Sequence, residues 1–180
     1  MALRGKRETI AETFMEMLRE TSLESLRVQE LAERAGISKA TFYRLFKDKY
    51  DVMNWIYLGV TEPVVTAQPD LSSWKQWSNV MLAHIKKNQA FYRSILTYEG
   101  QNSFAESMSQ YFMHNILSGI RQRLGVQTLP DDLMFVIQAF SQVNVFAVTQ
   151  WIQNGCKPSP ETLVQYVEKC IPECLRPYYS

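Results

Sequence analysis

Helix-breaking residues are scarce. Seven glycines and seven prolines stand among 180 positions, with no low-complexity tract and no repeat of fixed period, which excludes collagen-like, solenoid and largely disordered chains. Histidine is rarer still, with only His84 and His114, so acid–base chemistry at neutral pH has few candidates. A Gly-rich phosphate loop, a Gly-x-Ser-x-Gly elbow and a His-Glu-x-x-His pair are all missing, and each marks a common enzyme class. The expectation is a protein that is not an enzyme and holds no cofactor and no metal. Cysteine is limited to Cys156, Cys170 and Cys174, an odd number crowded near one end, which suits reduced thiols better than a disulfide framework. A metal sensor using the histidines and some cysteines is the alternative from another binding class. Against it, Pro172 separates Cys170 from Cys174 and no histidine lies nearby in sequence. No apolar stretch follows the basic start Met1-Ala2-Leu3-Arg4-Gly5-Lys6-Arg7, and none reaches the ~18 residues of a membrane span. The reading is therefore cytoplasmic, with no signal peptide and no membrane partner.

An excess of either charge is also lacking, since nineteen basic side chains nearly balance eighteen acidic ones. Distribution says more than the total. From Arg34 to Lys49 the basic residues Arg34, Lys39, Arg44, Lys47 and Lys49 face one acid, Asp48, and Arg4, Lys6 and Arg7 precede Glu8. Such a cluster suits either a solvated face or an anion-binding one.

What is abundant is apolar residues, 46% of the chain, enough to fill a core. Their spacing is helical throughout. Ile10, Phe14, Met17 and Leu18 predict a helix over 8–21, and Val28, Leu31, Ala32 and Ala35 a shorter one ending at Gly36. Ser38 offers an N-cap to a two-turn helix whose apolar face is Phe42, Leu45 and Phe46. Asp48 caps a fourth helix running toward Pro63, and Thr61 to Ser73 is the best linker candidate. Further helices are expected from Trp74 to about Asn88, from Ala90 to Leu96 and from Phe104 to Gly125. Two more run from Pro130 to Asn154 and onward from Ser159-Pro160. The stretch Phe135 to Trp151 is apolar on nearly every side, so that helix needs neighbours all round, from its own subunit or another. No segment reads as a strand, and the fold class is all-α.

Two short helices separated by Gly36-Ile37-Ser38 fit the turn of a helix-turn-helix, in which the second helix enters the major groove of DNA. The string Leu31-Ala32-Glu33-Arg34-Ala35-Gly36-Ile37-Ser38-Lys39-Ala40-Thr41-Phe42-Tyr43-Arg44-Leu45-Phe46-Lys47-Asp48-Lys49 resembles the DNA-binding signature of the TetR family of regulators. The resemblance covers about residues 8 to 56. Beyond it the layout alone is similar, although Trp151-Ile152, a glycine and a Ser-Pro-Glu helix start are similar to small-bodied members. The resemblance implies a helix-turn-helix domain over 1–48 and a helical effector-binding and dimerisation domain over 49–180. It implies a DNA-binding regulator, with repression the expected sign, whose partners are double-stranded operator DNA, a second copy of the chain and an unknown small-molecule effector.

Residue roles follow from chemistry and resemblance together. Ser38, Lys39, Ala40 and Thr41 stand at the positive end of the recognition helix, where hydroxyls, amides and an ammonium can meet phosphate or base edges. Tyr43 resembles the family tyrosine that bonds a phosphate, and Arg44 is a further candidate. Lys49, at the start of the fourth helix, is expected to make an anion site with the local amides. Arg4, Lys6 and Arg7 are candidates for phosphate or the minor groove. Two positions depart from the pattern. Arg27 replaces a common threonine, so either the arginine takes over its phosphate contact or the helix cap moves to Ser25, and Leu45 replaces a common aromatic or histidine. Half an operator per subunit calls for two copies. Phe146, Trp151, Leu163 and Val167, on the last two helices, are the dimer-interface candidates. Effector-pocket candidates are Trp77, Met81, His84, Tyr98, Met108, Phe112 and Phe140. Asn144 is open to three roles: interface register, ligand contact or an intrasubunit hydrogen bond.

Overall fold

Where apolar residues recur every three to four positions, each helix has one face to bury, and the computed structural model follows that rule. It describes residues 3–67, 71–98, 100 and 103–179, which form nine α-helices and two 3₁₀ turns with no strand among them. The chain divides into two compact units, Met1–Gly59 with Ala90–Phe104, and Val60–Gln89 with Ala105–Ser180.

The first unit contains α1 (Leu3–Met17), α2 (Val28–Arg34), α3 (Lys39–Leu45), the start of α4 (Lys49–Ala67) and most of α6 (Gln89–Leu96). Ile10, Phe14 and Met17 of α1 are buried with Leu31 of α2 and Phe42 of α3. Phe14 meets Phe91 of α6 edge-on, with ring centroids 6.1 Å apart. Each such side chain contributes roughly 1.5–3 kcal/mol by leaving water. The helix α1 begins and ends earlier than its apolar stripe predicts. The chain turns after Met17 through Arg19 and Glu20, whose amides donate to the carbonyls of Glu16 and Met17. The side chain of Arg4 lies outside the described residues.

Proline did not end α4. The helix runs through Pro63 to Ala67, so the expected linker from Thr61 to Ser73 is largely helical, with a 3₁₀ turn at Leu71–Ser73 and residues 68–70 outside the described ones. A proline inside a helix deprives the carbonyl four residues earlier of its donor. Here that residue is Gly59, which is exposed, so water can take the place of the missing N–H.

The second unit contains α5 (Trp74–Lys87), α7 (Phe104–Leu124), α8 (Asp131–Gln153) and α9 (Pro160–Lys169). Its core joins Trp74, Met81 and Ile85 with Met108, Phe112 and Ile116, and with Phe140, Val148, Leu163 and Val164. The helix α8 also corrects an expectation, since by length and composition alone it could cross a membrane, and only 28% of its apolar window is buried within the chain. Tolerating interspersed amides makes the difference: Gln138, Gln142, Asn144 and Gln150 interrupt the apolar run without adding charge. One face of α8 carries Ile137, Phe140, Val145, Val148 and Trp151 inward, while Phe135 and Phe146 are 73% and 66% exposed.

Candidate nucleic-acid interface

The turn between α2 and α3 is closed by hydrogen bonds that only a left-handed residue allows. Gly36 takes φ +66, its amide donates to the Glu33 carbonyl at 3.1 Å, and the Ile37 amide donates to Ala32 at 3.0 Å. This 6→1 and 5→2 pair ends α2 and reverses the chain. Ser38 then caps α3, its Oγ accepting from the Thr41 amide at 3.1 Å and donating to the Thr41 hydroxyl at 3.0 Å. A serine in this extended conformation satisfies one of the amides that a helix start leaves without partners.

The helix α3 is divided lengthwise. Phe42 is fully buried, Leu45 and Phe46 nearly so, and Tyr43 is 51% exposed. Ser38, Lys39, Ala40 and Arg44 are exposed and Thr41 is half-buried. The Lys39 ammonium lies 6.0 Å from the Tyr43 ring centroid, and the Tyr43 ring stands edge-on against Phe42 at 5.5 Å. Phe42 thus anchors the base of the tyrosine while its outer half meets solvent. Every residue named on the exposed face can donate a hydrogen bond except Ala40, whose small side chain lets another backbone approach.

The basic cluster is less uniform than its sequence. Arg34 pairs with Glu20 at 2.8 Å and Glu30 at 3.3 Å, and the hydrogen bond its guanidinium donates to Glu20 raises its pKa. The Lys49 ammonium donates to the carbonyls of Glu24 at 2.9 Å and Leu26 at 3.0 Å. Desolvation lowers its pKa. Arg7 donates to the Leu45 carbonyl at 3.0 Å and sits over the Phe46 ring. Lys39, Arg44 and Lys47 remain exposed. Nothing in the sequence signalled the partners of Arg7 and Lys49, because a backbone carbonyl is available at every position and proximity alone selects one.

Arg27 occupies the N-cap position of α2 without a side-chain cap and is exposed. The Ser25 amide instead donates to the Ser22 hydroxyl, which closes the turn before α2. At the head of α4 the Asp48 carboxylate accepts from the Asp51 amide at 2.9 Å, and Asp51 reaches back to the Lys47 amide. Next to it Tyr50 stacks on Tyr98, centroids 5.1 Å apart, and burial, together with the hydrogen bond that the protonated Tyr50 hydroxyl makes to Tyr98, pushes that hydroxyl up to about 12.

In the second unit, a cavity of about 20 Å³ is lined by α5, α7, α8 and α9, with Met81, Phe112 and Asn144 on its walls. That volume has room for about one water molecule. Met81 and Phe112 are therefore the two pocket candidates brought together there. Trp77 and Met108 are buried elsewhere in the core, and Phe140 packs its ring against Tyr179. His84 is half-buried beside Asn88, and Tyr98 belongs to the other compact unit. Asn144 donates to the Phe140 carbonyl of its own helix at 2.8 Å. Of the interface candidates, Phe146 is exposed, whereas Trp151, Leu163 and Val167 are buried within the chain. The Trp151 indole N–H donates to the Pro158 carbonyl. Cys156 is buried while Cys170 and Cys174 are exposed. Among the described residues no three His, Cys, Asp or Glu side chains form a group able to hold a metal ion.

Residues 10–54 match the model described as bacterial regulatory proteins, tetR family, and residues 72–173 match a TetR-type model described as transcriptional regulator C-terminal region. The chain is 23% identical over 86 residues to the HTH-type dhaKLM operon transcriptional activator DhaS of Lactococcus lactis, a match covering 48% of this chain and 46% of that protein. It thus spans about half the length of that relative. Among solved structures, the dihydroxyacetone kinase operon activator DhaS is similar with a TM-score of 0.66 at 17% identity, over 97% of this chain and 98% of that one. A TetR transcriptional regulator from Rhodococcus sp. RHA1 is similar with a TM-score of 0.61 at 11% identity, over 96% and 98%. At these identities the structural likeness concerns the fold.

Proposed function

The chain belongs to the TetR family of bacterial transcriptional regulators, and on that premise we propose that it binds a palindromic operator as a homodimer and is modulated by a small molecule held in its second unit. The observation that carries the DNA reading is the exposed, Ser38-capped tip of α3, with Lys39, Tyr43 and Arg44 outward and Phe42 and Phe46 inward. Ser38, Lys39, Ala40 and Thr41 approach phosphate and base edges, the Tyr43 hydroxyl donates to a phosphate, and Arg44 and Arg27 flank the contact. One two-turn helix reads too few base pairs for useful specificity, so two copies about 34–36 Å apart are required.

The apolar, uncharged face of α8 supports the dimer. Phe135, Val143 and Phe146 are exposed there, and Tyr166 is exposed on α9. Each amide along the same helix has more donor and acceptor sites than its intrachain bonds use, and the remainder could be satisfied at a wet protein interface but not in lipid, which favours a second copy over a membrane. The effector site is the region around Met81, Phe112 and Asn144, where no charged side chain lines the cavity. A ligand there shifts the population of two packings of the helical body.

Repression is the proposed sign, because a dimer seated on a promoter excludes other proteins with no further contact. Activation is a second reading, supported by the activator role of the similar DhaS proteins. A promoter fused to a reporter, with the regulator deleted, separates the two by rising or falling. The DNA reading itself is tested by titrating duplex DNA at several salt concentrations: Tyr43→Phe should weaken binding to all sequences, and Lys39→Ala should lower the salt slope by about 0.9. Wild-type protein with no salt-dependent affinity for duplex DNA would end this proposal.

A further inference from the structure

Lys49 opens α4 immediately beyond the helix-turn-helix, and its ammonium reaches back across the domain. It donates to the Glu24 and Leu26 carbonyls and lies 5.5 Å from the centroid of its neighbour Tyr50. An ammonium carries three N–H donors, and here two carbonyl oxygens and an aromatic face surround it. Both carbonyls belong to the segment joining α1 to α2, whose N-cap residue, Arg27, supplies no side-chain cap. The lysine therefore holds the entry to α2 where the usual device for doing so is missing. Arg7 acts in parallel at the other end of the motif, on the carbonyl that closes α3.

We infer that Lys49 is a positioning residue: its ammonium ties the segment between α1 and α2 to the first turn of α4, and so sets the angle at which α2 and α3 present Lys39 and Tyr43 to DNA, instead of holding a phosphate itself. The inference rests on the DNA-binding reading above. A phosphate ligand and a positioning residue differ in one measurable respect. Loss of a phosphate contact removes about 0.9 of a released counterion and flattens the salt dependence of binding, whereas loss of a positioning contact lowers affinity at every salt concentration by the same factor.

The experiment follows binding of the full-length protein to a mixed-sequence duplex of about three helical turns, over a range of salt, for wild type, Lys49→Met, Lys49→Gln and Lys39→Met. Hydrogen exchange of the same free proteins provides a second readout. Lys39→Met should lower the salt slope by about 0.9. Lys49→Met should weaken binding about tenfold with the slope unchanged, and should speed amide exchange between Thr21 and Val28. Lys49→Gln, which keeps one donor without the charge, should recover part of both effects, and it serves alone if the methionine variant does not fold. A slope reduced by about one in either Lys49 variant overturns the inference, as does unchanged affinity or unchanged exchange in that segment. If wild-type protein shows no salt-dependent binding to any duplex, the DNA reading falls instead, and with it the premise of this role.

Discussion

Arg7 and Leu45 lie 38 residues apart in the chain, and the Arg7 guanidinium donates to the Leu45 main-chain carbonyl at 3.0 Å. The same guanidinium rests 5.3 Å from the centroid of Phe46. A carbonyl at the end of α3 carries the negative pole of the helix, so a cation there gains from the dipole as well as the hydrogen bond. Arg7→Ala should therefore cost about 1–2 kcal/mol in urea denaturation. Arg7→Lys should recover little, because an ammonium lacks the plane that stacks on Phe46. Equal stability of the lysine variant and wild type would show that charge alone matters.

Gly36 and Ser38 separate two contributions within one turn. A Cβ at Gly36 would meet nothing within 4 Å, so the cost of Gly36→Ala comes from the left-handed backbone and should be about 1–2 kcal/mol. Asparagine, which tolerates that conformation better, should recover part of it. Ser38→Ala removes a cap and should cost about 1 kcal/mol. Thermal unfolding of the three variants checks the order, and an alanine at 36 as stable as glycine contradicts it.

Phe146 is exposed on the same face of α8 as Phe135. Replacing Phe146 with lysine should leave helix content and the second unit's core unchanged, since the side chain contributes little to either. It should convert the protein to a monomer in sedimentation velocity by placing a charge in an apolar interface. Dimers persisting at micromolar concentration would mean that another surface pairs the subunits.

His84 gives a pH prediction. Burial lowers its pKa, with Lys87 adding repulsion, so in the acid range the unfolded chain takes up its proton first. Stability should be fully retained above the ordinary histidine value of about 6.5 and should fall as pH drops below it, toward the lower folded value. The Tm of His84→Gln should lose less between pH 7.5 and 5.5 than that of wild type, by up to about 2–4 °C. Identical losses would assign the acid sensitivity to other groups.

The helices could be read in advance because their signals are local. Ile10, Phe14, Met17 and Leu18 recur along one stripe, Gly36 can reverse the chain, and Ser38 and Ser159 can cap, all without knowledge of any distant residue. Pro63 misled because the pattern treats proline as a stop, whereas the cost depends on whether the orphaned Gly59 carbonyl can reach water. The pocket was harder to anticipate. Helical spacing tells which residues face inward, but Trp77, Met108 and Phe140 face inward as firmly as Met81 and Phe112 do, and packing alone leaves the gap beside the latter two.

The order of residues, through period, turn and cap, was sufficient for an all-α chain with a helix-turn-helix near its start and an outward Lys39 and Tyr43. Tertiary structure decided which cations remain exposed. Lys39 and Lys49 are alike in sequence, yet one lies on an exposed helix face and the other reaches the Glu24 and Leu26 carbonyls. Charge is a property of the residue, whereas its partners depend on which distant backbone the fold carries within 3 Å of it.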